Sequence, residues 1–188
     1  MLKFLIMMMQ RFALICVGAL VLSSCAHTPV KKTMMEDGPS PPVTGTVLDS
    51  VLLAQGGDLA LAPFKAGSRA EADGELDRLS MMILKGIKDG IEEHDTSLHI
   101  IGNNEGQPKI VLEGYVQEYS KTSRLSRMML RPNRDSLVLE GELWVNPTGE
   151  RLLSFSTQRK FDPKKEKPKD VAYALGKDIG DFVGAHAK

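Results

Sequence analysis

Two stretches in the second half of the chain alternate between apolar and more polar positions. They run from Lys109 to Tyr119 and from Ser136 to Val145, and both contain the phrase V-L-E-G. Because side chains alternate between the two faces of a strand, each stretch predicts a strand with one core face and one wetter face. The turn signal at Asn146–Gly149 and the apolar positions of Arg151–Phe161 predict a returning hairpin partner.

Two other stretches have the spacing of amphipathic helices. Leucines and isoleucines recur at steps of three and four between Leu76 and Ile91, after an S-x-x-E pattern at Ser68–Glu71 that favours a helix start. Gly86 and Gly90 weaken this helix, so they indicate either close packing or an early end. A second apolar stripe predicts a closing helix from about Pro168 to Gly184.

Short apolar runs at Leu59–Phe64 and Ser97–Ile101 complete the pattern as two further strands. The predicted order of elements is therefore β-α-β-β-β-β-α. This order indicates an α+β fold in which a mainly antiparallel sheet of about five strands carries two helices on one face.

The start of the chain has a different pattern. Phe12–Leu22 is an uncharged apolar segment that follows Lys3 and Arg11, which is typical of a secretory signal. A helix of this length, at about 1.5 Å per residue, covers about half of a bilayer's hydrocarbon core, so a permanent span is the weaker interpretation. We expect residues 1–24 to be removed. A translation start at Met7, Met8 or Met9 instead of Met1 would leave the end of the predicted signal unchanged.

The predicted signal ends at Cys25, and the residues Leu22, Ser23 and Ser24 before it resemble the lipobox of bacterial lipoproteins. The resemblance implies a thioether-linked diacylglycerol and an N-acyl chain at Cys25, and we expect no other cofactor. Two or three acyl chains anchor a protein stably in a membrane. Because Ala26 follows the cysteine where aspartate would favour the inner membrane, the resemblance implies the outer membrane, with the domain facing the periplasm. The alternative is an ordinary signal peptide with a chance cysteine.

Composition then divides the rest of the chain. Residues 25–46 contain four prolines and few large apolar side chains, a composition that does not bury enough surface to fold. We expect a flexible tether there and a single α+β domain in residues 47–188. The chain has 24 basic and 24 acidic side chains, and the removed signal holds two basic residues, so the mature chain is slightly acidic and has no nucleic-acid signature.

Enzyme and metal motifs do not occur in the sequence. No P-loop, G-x-S-x-G or G-x-G-x-x-G pattern is present, and we expect no enzymatic activity. The acidic pair Glu140 and Glu142 is most simply a solvated strand face. Four histidines lack the spacing of metal ligands: His27, His94, His99 and His186.

The connection between the two alternating stretches is strongly basic. It carries five positive charges and no acidic residue among leucines and methionines: Lys121, Arg124, Arg127, Arg131 and Arg134. This composition fits a partner-binding surface for anionic lipid headgroups, an acidic protein face or a polyanion. It fits equally a long hairpin whose basic residues are solvated and whose methionines belong to the core.

The order of elements, with the phrases L-A-P-F, V-L-E-G-Y-V, G-E-L-W-V-N-P-T-G and R-L-L-S-F, resembles small envelope lipoproteins with a TolB-N-like α/β domain. That group includes the curli-secretion lipoprotein and the activator lipoproteins of penicillin-binding proteins. The resemblance covers roughly residues 59–184 and implies a non-enzymatic accessory or scaffold that binds an envelope protein partner. The alternative is a transport accessory that binds a lipid or other anionic ligand in an apolar groove. Neither implies an oligomeric state.

Overall fold

The computed structural model describes residues 43–70, 73–102, 106–120 and 135–188. The predicted signal, Cys25, most of the tether and the basic connection lie outside these residues. Seven strands and three helices occur in the described ranges. In chain order they are β1 (Thr44–Val47), α1 (Ser50–Gln55), β2 (Gly57–Leu61), β3 (Lys65–Arg69), α2 (Gly74–Glu92), β4 (Leu98–Ile101), β5 (Ile110–Ser120), β6 (Asp135–Val145), β7 (Glu150–Phe161) and α3 (Pro168–His186).

The strands form one mixed sheet in the order β1-β7-β6-β5-β2-β4. The antiparallel pairs β5–β6 and β6–β7 confirm the predicted hairpins. The remaining edge of β5 is shared, because β2 pairs in parallel with its first half and β3 pairs in parallel with its second half. The α+β class is confirmed, whereas the expected five mainly antiparallel strands and two helices are corrected to a mixed sheet of seven strands and three helices in the described residues.

Long-range pairing explains the corrections. The S-x-x-E pattern at Ser68–Glu71 does not start a helix, because Lys65–Arg69 pairs with β5 as a strand. Helix α2 starts later, where the side chain of Asp73 accepts hydrogen bonds from the backbone N–H groups of its first turn. Strand β1 begins at Thr44, inside the stretch assigned to the tether, and pairs antiparallel with β7.

The core lies between the sheet and the helices. The predicted stripe of α2, from Leu76 to Ile91, is buried, and the inward residues of the central hairpin, such as Leu112 and Leu139, are fully buried against it. The closing helix is confirmed at Pro168–His186. No helix in the described ranges is both long enough and apolar enough to cross a membrane.

Helices α2 and α3 meet through glycines. Gly86 and Gly90 of α2 face Gly176 and Gly180 of α3, and a Cβ atom at Gly90 would lie 2.5 Å from the carbonyl oxygen of Lys177. Only a hydrogen atom fits at such a distance. The structure therefore supports close packing, and not an early helix end, as the reason for these glycines. Helix α2 continues to Glu92.

Candidate functional site

The outward face of the central hairpin carries a group of acidic side chains. In the β5–β6 register, Glu113 lies opposite Glu142 and Tyr115 lies opposite Glu140. The alternation that points the leucines of both strands into the core points these four side chains to the other face of the sheet. We call the three glutamates, with Tyr115 and the neighbouring Gln117, the acidic face.

Like charges directly opposite each other destabilise a strand pair, and two cations offset this repulsion. The ammonium of Lys65 on β3 lies 3.5 Å from the carboxylate of Glu113. The guanidinium of Arg151 on β7 lies 3.4 Å from the carboxylate of Glu142. Both cations are more than half exposed, so solvent screens these ion pairs and each contributes little to stability. A partner with its own cationic groups can compete for the same carboxylates.

The carboxylate of Glu140 has a different neighbour. It accepts a hydrogen bond of 2.9 Å from the side-chain amide of Gln117, and no basic side chain lies within 4.0 Å of it in the part of the chain that the structure describes. A neutral amide leaves the negative charge uncompensated. Glu140 is exposed, and the ring of Tyr115 beside it is 39% exposed. Together they offer an anionic acceptor and an aromatic surface to solvent.

An open hollow of about 600 Å³ covers this face. Its lining comes from β1, β5, β6 and β7. It includes the five residues of the acidic face and four side chains with hydroxyl groups on β1 and β7: Thr44, Thr46, Ser154 and Ser156. Gly45, Gly141 and Phe155 complete the lining. The hydroxyl of Thr44 donates to the carbonyl of Ser156 at 3.1 Å, which ties the edge strand β1 to β7. The hollow is thus wide, polar and rich in hydrogen-bond acceptors.

The inward face of the same hairpin carries two glycines that make room for aromatic rings. Gly114 and Gly141 lie opposite each other, and the rings of Phe64 and Phe155 pack against these glycines where a Cβ would otherwise be. Large side chains would push the two rings out of the core. The repeated E-G dipeptide therefore combines an inward glycine with an outward glutamate on each strand.

At its far end the hairpin is fixed before the basic connection starts. The hydroxyl of Tyr119 donates to Glu75 of α2 at 2.8 Å, and Ser136 donates to Glu118 at 2.8 Å. Burial, followed by the hydrogen bond to Glu75, raises the pKa of the Tyr119 phenol above its usual range. Asp135, the first residue after the connection, is buried. The ends of the connection are thus anchored in packed structure.

The described lining of the hollow contains no histidine and no cysteine. His99 is exposed on the edge strand β4, and His94 lies 3.4 Å from Asp181 on the opposite side of the sheet. In the described ranges, no three metal-ligating side chains lie close enough together to hold an ion. The hollow presents carboxylate, hydroxyl, amide and phenol groups.

The site residues predicted from the sequence lie outside the described residues. These are the lipidation site Cys25, the lipobox Leu22, Ser23 and Ser24, and the basic residues Lys121, Arg124, Arg127, Arg131 and Arg134. Sequence reasoning missed the acidic face, because it treated Glu140 and Glu142 as an ordinary solvated strand face. The V-L-E-G repeat was the available signal, since two strands with that phrase pair with their glycines opposite each other.

Comparisons with known proteins concern the fold. No family model matches the chain, and no curated protein matches it. A single-substitution variant of the PelC dodecamer from Paraburkholderia phytofirmans is similar at 15% identity, over 76% of this chain and 98% of that chain, with a TM-score of 0.54. A second PelC dodecamer structure from the same organism gives 14% identity, 75% and 96% coverage, and a TM-score of 0.53.

A more distant similarity is to lipoprotein GNA1162 from Neisseria meningitidis, with 9% identity, coverage of 58% and 86%, and a TM-score of 0.44. The TolB-N-like fold expected from the sequence is not confirmed by these matches. At such identities the two PelC structures show the fold alone: this chain is folded like PelC.

Proposed function

We propose that the chain is a non-enzymatic outer-membrane lipoprotein that acts as a partner-binding accessory or scaffold in envelope assembly or secretion. In this proposal residues 1–24 are removed and Cys25 carries the lipid anchor. The domain faces the periplasm and presents the acidic face to an envelope protein. The lipobox supports the anchor, and the open acidic hollow supports the binding role.

The observation that carries the binding role is the position of the hollow. A transport accessory needs an apolar groove between the helices and the sheet. That space is filled by side chains such as Leu79, Ile83 and Ile179, which are 2% exposed or less, and the glycine contacts hold α2 and α3 at backbone distance. The hollow lies on the opposite face and is lined with carboxylates, which disfavour an anionic ligand. A protein partner that presents basic or hydrogen-bond donor groups fits this surface better.

The similar fold of PelC adds one partner to be tested. PelC is described as a dodecamer, so a second copy of this chain is a candidate partner for the acidic face. The basic residues of the 121–134 connection have the charge that such a contact needs. They remain our second proposed binding surface.

The anchor is tested by Cys25→Ser. Serine offers no thiol for diacylglyceryl transfer, so we expect an uncleaved or soluble product that does not incorporate a palmitate analogue. Wild-type protein should label and fractionate with the outer membrane. Continued labelling and outer-membrane fractionation of the variant would show that Cys25 is not the anchor.

The binding face is tested by in-cell crosslinking and co-purification of the full-length protein. Glu113→Gln, Glu140→Gln and Glu142→Gln together should reduce recovery of the crosslinked partner at least about fivefold, because exposed ion pairs of about 0.3–1 kcal/mol each add up over three sites. A matched control removes three exposed acids elsewhere: Glu92→Gln, Asp95→Asn and Glu150→Gln. Equal recovery from both triple variants would remove the acidic face as the binding site.

The basic connection has its own test. Replacing Arg124, Arg127 and Arg131 with glutamine should leave the melting temperature nearly unchanged, since exposed charges usually contribute less than about 0.5 kcal/mol each to stability. Recovery of an anionic partner should fall and should depend on salt. If wild type and variant recover the partner equally across a salt series, the connection is not a binding surface.

A further inference from the structure

A lysine-rich surface joins β7 to α3. Five lysines there are exposed: Lys160, Lys164, Lys165, Lys167 and Lys169. Three acids lie in the same stretch: Asp162 accepts from the backbone N–H of Lys164 at 2.9 Å, Glu166 lies 2.6 Å from Arg159, and Asp170 is exposed in the first turn of α3. In the described ranges, no carboxylate lies within 4.0 Å of any of the five ammonium groups. We call these five residues the lysine surface.

The lysine at the start of α3 makes no capping contact with that helix. Lys167 occupies the N-cap position of α3 and makes no side-chain hydrogen bond to the free N–H groups of the first turn. Positive charges at Lys167 and Lys169 oppose the positive end of the helix dipole, where serine or aspartate would stabilise the helix. Pro168 and Asp170 in the first turn favour the start of α3, so the helix has its own stabilising residues there and the lysines are available to a partner outside the domain.

The register places the lysine surface at one defined end of the sheet. Lys160 pairs with Ser136, and Ser136 also pairs with Ser120. Ser120 and Asp135 are the described residues on either side of the basic connection. Their ends of β5 and β6 therefore lie at the same end of the sheet as Lys160.

The first described strand also has its start on the side of this end of the sheet. Strand β1 runs antiparallel to β7, with Thr44 opposite Ser156 and Val47 opposite Leu153. Thr44, the first residue of β1, is therefore nearer to the Phe161 end of β7 than Val47 is. Strand β1 therefore begins on the side of the sheet that faces the lysine surface.

From these three observations we propose that the lysine surface lies against the anionic phospholipid headgroups of the bilayer that holds the anchor. The inference rests on the proposed lipidation of Cys25. A tether of about twenty residues can reach roughly 60 Å, so the anchor alone does not orient the domain. Each basic residue near an anionic surface adds about fivefold in binding, which makes four or five lysines enough to fix one orientation. The sheet then stands on its end, and the acidic face points sideways along the membrane.

The test uses the mature, lipidated, full-length protein in nanodiscs and measures lysine reactivity. Acylation with an N-hydroxysuccinimide ester, read by mass spectrometry, gives a rate for each lysine. In discs with about one third phosphatidylglycerol, Lys164, Lys165 and Lys167 should react at least about fivefold more slowly than in pure phosphatidylcholine discs. Lys85 and Lys88 on α2, both exposed, should react equally in the two lipids. Salt near 1 M, where the Debye length is about 3 Å, should abolish the difference.

A quadruple variant tests which residues are responsible. With K164Q, K165Q, K167Q and K169Q combined, the remaining Lys160 should react in anionic discs at the rate it has in phosphatidylcholine discs. The matched control, R78Q with K85Q, K88Q and K188Q, removes four exposed charges elsewhere and should leave Lys160 protected. Thermal unfolding of both variants checks that the fold is intact.

The outcomes separate the two proposals. If the N-terminal peptide carries no acyl chains and the protein does not incorporate into discs, the proposed lipoprotein function fails. If the protein incorporates but its lysine surface reacts equally in both lipids, the membrane contact is refuted and the anchor stands. Slow acylation of the lysine surface in both lipids also refutes recognition of anionic headgroups. The same holds if Lys85 and Lys88 are acylated more slowly in the anionic discs.

Discussion

Replacing Gly90 with alanine tests the contact between α2 and α3. Close packing there reverses the sign of the expected change in the free energy of unfolding. In an exposed helix interior, glycine to alanine stabilises by about 1 kcal/mol. At Gly90, the added Cβ would lie 2.5 Å from the carbonyl oxygen of Lys177 and 2.8 Å from the backbone nitrogen of Asp181. Both are backbone atoms of α3, so no side-chain rotation relieves the contact. An ordinary van der Waals distance is about 3.5 Å, so the helices would have to separate by about 1 Å.

The expected magnitude follows from two opposing effects. Overpacking a well-packed site costs about 1–3 kcal/mol, and the upper end applies because the two helices must separate as rigid bodies and lose dispersion contacts along their interface. Subtracting about 1 kcal/mol for the better helix propensity of alanine leaves a net loss of about 2 kcal/mol. For a domain of this size, that lowers the melting temperature by about 6 °C.

The assay is thermal and urea unfolding of the mature chain, with Gly74→Ala as the matched control in the same helix. A Cβ at Gly74 meets no atom within 4 Å, so this variant should be as stable as wild type or slightly more stable. A melting temperature of Gly90→Ala at or above that of wild type would refute the backbone contact between the helices.

Three further variants test one buried and two half-buried polar groups by urea unfolding. Ser80→Ala leaves the buried N–H of Phe64 without its 2.8 Å acceptor, so we expect a loss of about 1–3 kcal/mol, and a neutral result would contradict this role. The raised pKa of Tyr119 means that the folded state holds this proton more tightly, so the free energy of unfolding should fall as pH rises above about 10. Tyr119→Phe should reduce that fall. An unchanged dependence of the free energy of unfolding on pH would contradict the assignment to Tyr119. Burial raises the pKa of Asp178, so stability should increase as pH falls through the acidic range. Asp178→Asn should therefore stabilise the protein at neutral pH but not in strong acid, and a loss at neutral pH would refute the argument.

Periodic elements were predictable from the sequence because burial selects their pattern. The alternation of β5 and β6 and the apolar stripe of α2 follow from a single core that takes every second strand residue and one helix face. Strand β3 was missed because K-A-G-S-R has no apolar alternation and overlaps a local helix-start pattern. Its partner, β5, lies far along the chain, and no local signal reports such a pairing.

The acidic face shows the same limit for the functional site. Each of its glutamates stands at an outward position that the alternation predicts correctly. Their convergence depends on the β5–β6 register, which sets Glu113 opposite Glu142. The length of the connection does not fix that register, and the V-L-E-G repeat indicates it only once the two strands are known to pair with their glycines opposite each other.

The anchored ends of the hairpin have a consequence for how this protein can change. Tyr119 and Asp135 belong to packed structure on either side of the fourteen-residue connection, so the strands are closed before it begins. Doubling the length of a flexible loop costs only about 0.6 kcal/mol in closure entropy. Because Tyr119 and Asp135 hold the strand ends independently of the connection, we expect an affinity tag inserted between residues 121 and 134 to leave the folded domain intact.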